Sequence, residues 1–326
     1  MTLDAVSGTG DFIKSIVTSD VDHLAAIQKG KNRRYTQIKP GKFQGRYSEC
    51  NLSDVQLFRE RLNIGMRIEA APKAQYMPFA AVYSDTHDLN FCGSVANSKT
   101  LLQASGGEWD ACSSGVLNYV GAAFNRDRLN TAYNLLYQRE FPKQWSCSKA
   151  ALTCPRALRQ YLYILQRTLI LMETFPLLGG YEQVCQSLNE MILHAILDAL
   201  TPTLSYQEKT SSFSARRKGV RKAIDYLHVH INLMPTVTEL CQVSGLSERS
   251  LQYGFKEYIG ISPVRYLRVV RLNEARRELM TSRKKRVKVM DVALNWGFVE
   301  MGRFSGEYRQ LFQELPSETL KASRNQ

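Results

Sequence analysis

Arg249, Gln252 and Tyr253 stand at i, i+3 and i+4, so on a helix they share one face. A guanidinium, a carboxamide and a phenol side by side can hydrogen-bond to the edges of bases or to phosphate oxygens. Leu251 and Phe255 fall on the opposite side of the same stretch, and Ser247 precedes it with an oxygen suited to an N-cap. One such helix would fit the solvated face of an ordinary bundle about as well. What decides between the two is that the pattern occurs twice.

In the first copy Val237, Leu240 and Cys241 precede Gly245 and Leu246, and Leu251, Phe255, Ile259 and Pro263 follow. In the second, Val289, Val292 and Ala293 precede Gly297 and Phe298, and Phe304, Tyr308, Phe312 and Pro316 follow. Two short amphipathic helices joined by a glycine turn make a helix-turn-helix, whose second helix enters the major groove of DNA. Each glycine falls where the first helix must end in a left-handed residue. The counterparts of Arg249, Gln252 and Tyr253 in the second unit are Gly302, Ser305 and Gly306, whose side chains reach little way into a groove. Base reading is therefore expected from Arg249, Gln252, Tyr253, Arg303 and Ser305, with discrimination concentrated in the first unit. Phosphate contacts are expected from Ser247, Lys256, Arg283, Lys284, Lys285, Arg286, Lys288 and Arg309. Between the units Ser262 and Pro263 open a helix reaching to about Thr281. At 1.5 Å per residue it spans roughly 27 Å, close to the one-turn separation of successive major grooves.

The runs GLSERSLQYGFKEYIGISPVRYL, RLNEARREL and WGFVEMGRFSGEYRQLFQELPS resemble the DNA-binding domain of the AraC/XylS family of bacterial transcription regulators. The resemblance covers roughly residues 218–320, on the motifs G-[LF]-S, F-K, G-x-S-P and a second G-F with P-S. It implies an all-α domain of two helix-turn-helix units on one long helix, an activator acting upstream of a promoter, and RNA polymerase as a partner. Gln313 stands where the family commonly has glycine.

Charge agrees with nucleic-acid binding. The chain of 326 residues carries a net charge of +13, of which 21 Lys and Arg against 11 Asp and Glu lie from Arg216 onward. A basic surplus in one third of a chain is the footprint of phosphate binding, and the basic helices lack the broad apolar face of a membrane-surface helix. The seven cysteines are odd in number and form no C-x-x-C pair. With neither a signal sequence nor a long apolar run, this predicts free thiols, a cytoplasmic protein and no membrane partner.

Residues 35–124 are short alternating runs broken by Gly, Pro, Asn and Asp, among them Arg46–Leu52, Val55–Leu62, Phe79–Tyr83 and Val116–Phe124. Such texture predicts an antiparallel barrel or sandwich with room for a small ligand. Tyr83, Phe91, Trp109 and Tyr119 are its candidate effector-binding residues. Helical patterns follow over Arg126–Gln138, Pro155–Thr174 and Tyr181–Leu200. The last two serve either as core against the sheet or as a homodimer interface.

The run YTQIKPGKFQGRYSECNLSDVQLFRE resembles the cupin-like regulatory domain of an AraC/XylS branch that includes ethanolamine operon regulators. That resemblance implies a barrel holding a small effector, which in those relatives is ethanolamine with adenosylcobalamin. The expectation is an α+β chain. It has an N-terminal cupin-like antiparallel β-barrel with a helical hairpin over residues 1–200, and a linker over 201–215. An all-α double helix-turn-helix domain occupies 216–326. No cofactor and no metal is expected. A cupin-type enzyme would need several converging histidines, and between His23 and His194 only His87 occurs. His228 and His230, at i and i+2, do not face each other on a helix. No catalytic motif is found. A DNA-architectural protein without regulation is the remaining alternative.

Overall fold

A computed structural model describes residues 12–86, 88–200, 215–282 and 287–324. By contact density the chain forms two compact units, the first comprising Met1–Arg34, Gln44–Asn63 and Ile68–Gln207. The second is Tyr35–Phe43, Ile64–Arg67 and Glu208–Gln326. The expected linker over 201–215 lies outside the described residues up to residue 214.

The strands in chain order are β1 (Ile13–Thr18), β2 (Arg34–Gln37), β3 (Gly45–Leu52), β4 (Val55–Leu62), β5 (Met66–Ala70), β6 (Tyr76–Val82), β7 (Leu89–Phe91), β8 (Ser94–Ala96), β9 (Thr100–Ala104), β10 (Trp109–Ser113), β11 (Leu117–Asn125) and β12 (Ser148–Leu152). They form a seven-stranded sheet in the order β1-β3-β4-β11-β6-β9-β12 and a five-stranded sheet in the order β2-β5-β10-β7-β8. Of the expected barrel or sandwich, the antiparallel sheet-rich domain is present and it is not a closed barrel. Among the described residues no strand of one sheet is hydrogen-bonded to a strand of the other, and the three-residue edge strand β8 offers little backbone for such a ladder.

Alternation along the larger sheet separates its faces. Phe79 and Ala81 of β6 join Leu57, Leu101, Val120 and Phe124 in a core with α3 (Pro155–Thr174) and α4 (Glu182–Leu200). Leu158, Leu165, Leu169 and Met172 of α3 are all buried there, each contributing roughly 1.5–3 kcal/mol. The buried Tyr161 hydroxyl donates to the Phe79 carbonyl at 3.1 Å. The hairpin thus packs as core on the sheet. All seven cysteines are free, and no helix among the described residues is long and apolar enough to cross a membrane.

In the second unit α5 (Ala215–Val229) leads to α6 (Val237–Ser244), which opens with a capping box between Thr236 and Glu239. The next helices are α7 (Glu248–Tyr258), α8 (Pro263–Thr281), α9 (Val289–Asn295), α10 (Met301–Phe312) and α11 (Pro316–Arg324). Gly245 (φ +67°) and Gly297 (φ +74°) hold the two turns in the left-handed region. A Cβ at Gly297 would stand 2.6 Å from the Met234 sulfur, so the methionine side chain would have to shift as well.

Asn273 of α8 is buried and engages the backbone of Gln37 from both sides. Its Oδ1 accepts from the Gln37 amide at 3.0 Å and its Nδ2 donates to the Gln37 carbonyl at 3.0 Å. The Gln37 side chain donates to the Leu311 carbonyl at 2.8 Å, and the Gly41 amide reaches the same oxygen at 3.0 Å. A short segment from far upstream therefore completes the helical unit.

Gln313, in the family's glycine position, ends α10 at φ +57° with its amide donating to the Arg309 carbonyl at 2.9 Å. A side chain there costs energy that glycine avoids, partly offset by glycine's freer unfolded state. Gln313→Gly is expected to raise stability by about 0.5 kcal/mol, read as a shift of the urea midpoint at constant m-value.

Candidate nucleic-acid interface and effector cavity

Helix α7 is anchored from within by Leu251 and Phe255, both fully buried, and begins at Ser247, whose oxygen accepts from the Ser250 amide at 3.3 Å. That rotation leaves Arg249, Gln252, Tyr253 and Lys256 exposed on the outer face. The Arg249 guanidinium lies 5.8 Å from the centre of the Tyr253 ring, and Gln252 Nε2 donates to Glu248 Oε1 at 3.2 Å. Both contacts hold long polar side chains near one rotamer, lowering the entropy lost when they meet a base.

Helix α10 presents a different face. Phe304, Tyr308 and Phe312 are buried, while Gly302 and Gly306 are exposed with open space where a Cβ would stand. Gly306, in the interior of α10, costs about 1 kcal/mol relative to alanine, and no internal packing requires either glycine. The result is a low, smooth surface. Ser305 is half-buried beside it. Arg303 donates to Glu307 at 3.1 Å, and Glu307 also receives Arg268 of α8. Arg309 is exposed.

Of the phosphate candidates, Lys256, Lys288, Arg309 and the capping Ser247 are exposed. Arg283, Lys284, Lys285 and Arg286 lie outside the described residues. Sequence reasoning passed over α8 as a source of function. Its Arg276 pairs with Glu314 at 3.1 Å and its Glu278 accepts from the Trp296 indole at 2.8 Å. These bonds fix the second helix-turn-helix to α8, and a regular run of Arg and Glu along that helix was the available signal.

Replacing both Lys256 and Arg309 by Glu is expected to weaken binding to all duplexes alike and to flatten the slope of log affinity against log salt by about two. Unchanged affinity at moderate salt would mark these side chains as solvated surface only.

In the first unit a cavity of about 220 Å³ opens between the two sheets. Phe91, Trp109 and Tyr119 line it, with Phe58 of β4, Ile68 of β5 and Leu102 of β9. Tyr83 does not, which corrects its assignment: it packs against the core beneath α3 and α4. The cavity also holds charged residues that sequence reasoning missed. Arg33 donates to the buried Glu60 at 2.9 Å and to the Tyr119 hydroxyl at 2.7 Å, and its guanidinium lies 4.9 Å from the centre of the Trp109 ring. Lys31 donates to Glu49 at 2.9 Å and to the Tyr47 hydroxyl. Burial lowers the Lys31 pKa to about 8, against the opposing pull of Glu49. Desolvation pushes the Tyr119 phenol above its ordinary range.

A family profile described as a helix-turn-helix domain matches residues 240–322. A relative named as a probable thc operon regulatory protein, from Rhodococcus erythropolis, is 41% identical over 102 residues, which are 31% of this chain and 31% of the relative. The XylDLEGF operon transcriptional activator 2 of Pseudomonas putida is 29% identical over 125 residues, 38% of this chain and 80% of that protein. The crystal structure of a probable AraC family transcriptional regulator from Rhodopseudomonas palustris CGA009 shows 32% identity over 32% of this chain and 97% of its own, with a TM-score of 0.31. The chain thus spans about a third of the length of the first of these curated relatives. All three matches are regional, and the family profile lies wholly within the two helix-turn-helix units and the helices that flank them. Through this C-terminal region the chain belongs to the AraC/XylS family of helix-turn-helix transcription regulators.

Proposed function

We propose that this protein activates transcription in response to a small-molecule effector, by binding two successive major grooves upstream of a promoter. The observation that carries this reading is the repeated unit: two helix-turn-helices with left-handed glycine turns, joined through α8. A single unit would support any DNA contact. Two on one helix suit an extended site on one face of the duplex, with base readers on α7 and a smoother helix at the second groove. The cavity lined by Phe91, Trp109 and Tyr119 is the effector site in this reading. RNA polymerase is the partner at the promoter, and the protein acts in the cytoplasm.

Footprinting with hydroxyl radicals on genomic sites recovered by the protein tests the central claim. Two protected segments about one helical turn apart on the same face are expected. Protection without sequence preference would favour the DNA-architectural reading instead. The relatives named above are regulators of transcription, which favours a binding protein over a cupin-type enzyme.

A further inference from the structure

The turn glycines of the two helix-turn-helices share one backbone requirement and differ in what surrounds them. A Cβ at Gly245 would meet nothing within 4 Å, whereas one at Gly297 would stand 2.6 Å from Met234 Sδ and 3.3 Å from the guanidinium of Arg271 on α8. Met234 belongs to the first helix-turn-helix: it closes a single 3₁₀ turn over Ile231–Leu233, between α5 and α6. Its thioether therefore rests on the turn of the second helix-turn-helix, and the missing side chain of Gly297 is the seat. Met234 itself stands at φ +52°, in the left-handed region where glycine or asparagine is easier to place than a long side chain. A strained position that keeps a large side chain points to a use for that side chain.

The helices around this contact are held with unequal firmness. Helix α8 is tied to the second helix-turn-helix by Arg268 on Glu307, by Arg276 on Glu314, and by Glu278, whose carboxylate accepts from Asn295 and Trp296. Toward the first it has the Phe255–Tyr266 ring contact at 5.5 Å and the Tyr266 hydroxyl beside His228. The chain itself passes from α7 to α8 through Gly260 at φ +80°. These attachments gather at the start of α8, where a pair of helices can pivot. Met234 on Gly297 is a contact of another kind, made beside Arg271 farther along α8 and bypassing that pivot. Resting on the two-groove reading above, we propose that Met234 is a positioning residue that fixes the separation and angle of α7 and α10, so that the protein discriminates operators by the spacing of their half-sites. One base pair added between half-sites moves the second groove by about 3.4 Å and turns it by about 35°. The seated methionine blocks the pivoting that would follow such a shift.

The probe is the duplex that full-length wild-type protein enriches most from a random library, with one base pair inserted or deleted between its two protected segments. Wild type is expected to bind either spacing variant at least about thirtyfold more weakly than the selected duplex, because each mismatched position costs roughly 1–3 kcal/mol and a spacing change displaces a whole half-site. Met234→Ala should cut that penalty about threefold or more while leaving base preferences within each half-site unchanged. Met234→Leu, which keeps a carbon where the sulfur sits, should retain the penalty to within about twofold. General damage to the fold would instead weaken all duplexes by one factor and leave the penalty as it is. The same pivot is read without DNA, from nitroxides on p-acetylphenylalanine at the exposed Glu257 of α7 and Gln310 of α10. Double electron–electron resonance should give a distance distribution clearly broader in Met234→Ala than in wild type. An equal spacing penalty in wild type and Met234→Ala, equally broad distributions, or a wild type indifferent to spacing would overturn the proposal and leave the two-groove reading standing. If the full-length protein enriches no duplex, the two-groove reading falls, and the proposal falls with it.

Discussion

Arg249→Ala is expected to cost on the order of 1–3 kcal/mol on the preferred operator and to relax preference at one or two base positions. A guanidinium at the start of a recognition helix can pair with two acceptors on a guanine edge, and alanine offers neither donor. The Tyr253 ring beneath it, 5.8 Å away, holds Arg249 in place before DNA arrives. Arg309→Ala should behave differently, lowering affinity by a similar factor on every sequence, because a phosphate contact positions the helix without reading it. The second unit has little else to read with, since Gly302 and Gly306 present no side chain and Ser305 is half-buried. Binding of both variants to a library of single-base operator variants checks the asymmetry. Sharp base preferences in both half-sites that survive loss of Arg249 would refute it.

Asn273→Ala should destabilise the helical unit by about 2–4 kcal/mol. The amide of Asn273 satisfies both the N–H and the C=O of Gln37, and stranding a buried backbone group costs roughly 1–3 kcal/mol. Asn273→Asp keeps the acceptor but sets a carboxylate oxygen against the carbonyls of Gln37 and Val269 in a buried position, so it should destabilise at least as much as alanine. Urea unfolding of the full-length chain followed by circular dichroism provides the measurement. A loss below about 0.5 kcal/mol for alanine would mean that water replaces the side chain.

Helix α7 could be read from the sequence because its signals are local. Ser247 as cap, Leu251 and Phe255 inward and Arg249 outward all follow from a period of 3.6 residues, and the glycine turn needs only its own backbone angle. Barrel and sandwich stay open in the sequence because strand signals report alternation and not which edges meet. Tyr83 was misassigned by parity. Pro78 and Ala80 of β6 face the cavity, whereas Met77, Phe79 and Ala81 face the helices, and Tyr83 shares their side. Knowing the face of any one of these residues would have placed Tyr83. The cations of the cavity were passed over because Lys29, Lys31 and Arg33 precede the first recognisable alternating run. Nothing local could have paired Gln37 with Asn273, 236 positions away.

That separation has a consequence for how the protein is made. At bacterial elongation rates of about 5–20 residues per second, Gln37 leaves the ribosome roughly ten to fifty seconds before Asn273 is synthesised. Through that interval the backbone of Gln37 and Gly41 has none of its partners on α8 and α10, and an unpaired strand edge of this kind is a site where nascent chains pair wrongly. The helical unit reaches its full set of hydrogen bonds only once both ends of the message have been translated. A fragment translated from Thr210 onward carries Asn273 without Gln37, so its α8 must offer to solvent an amide that the whole chain buries.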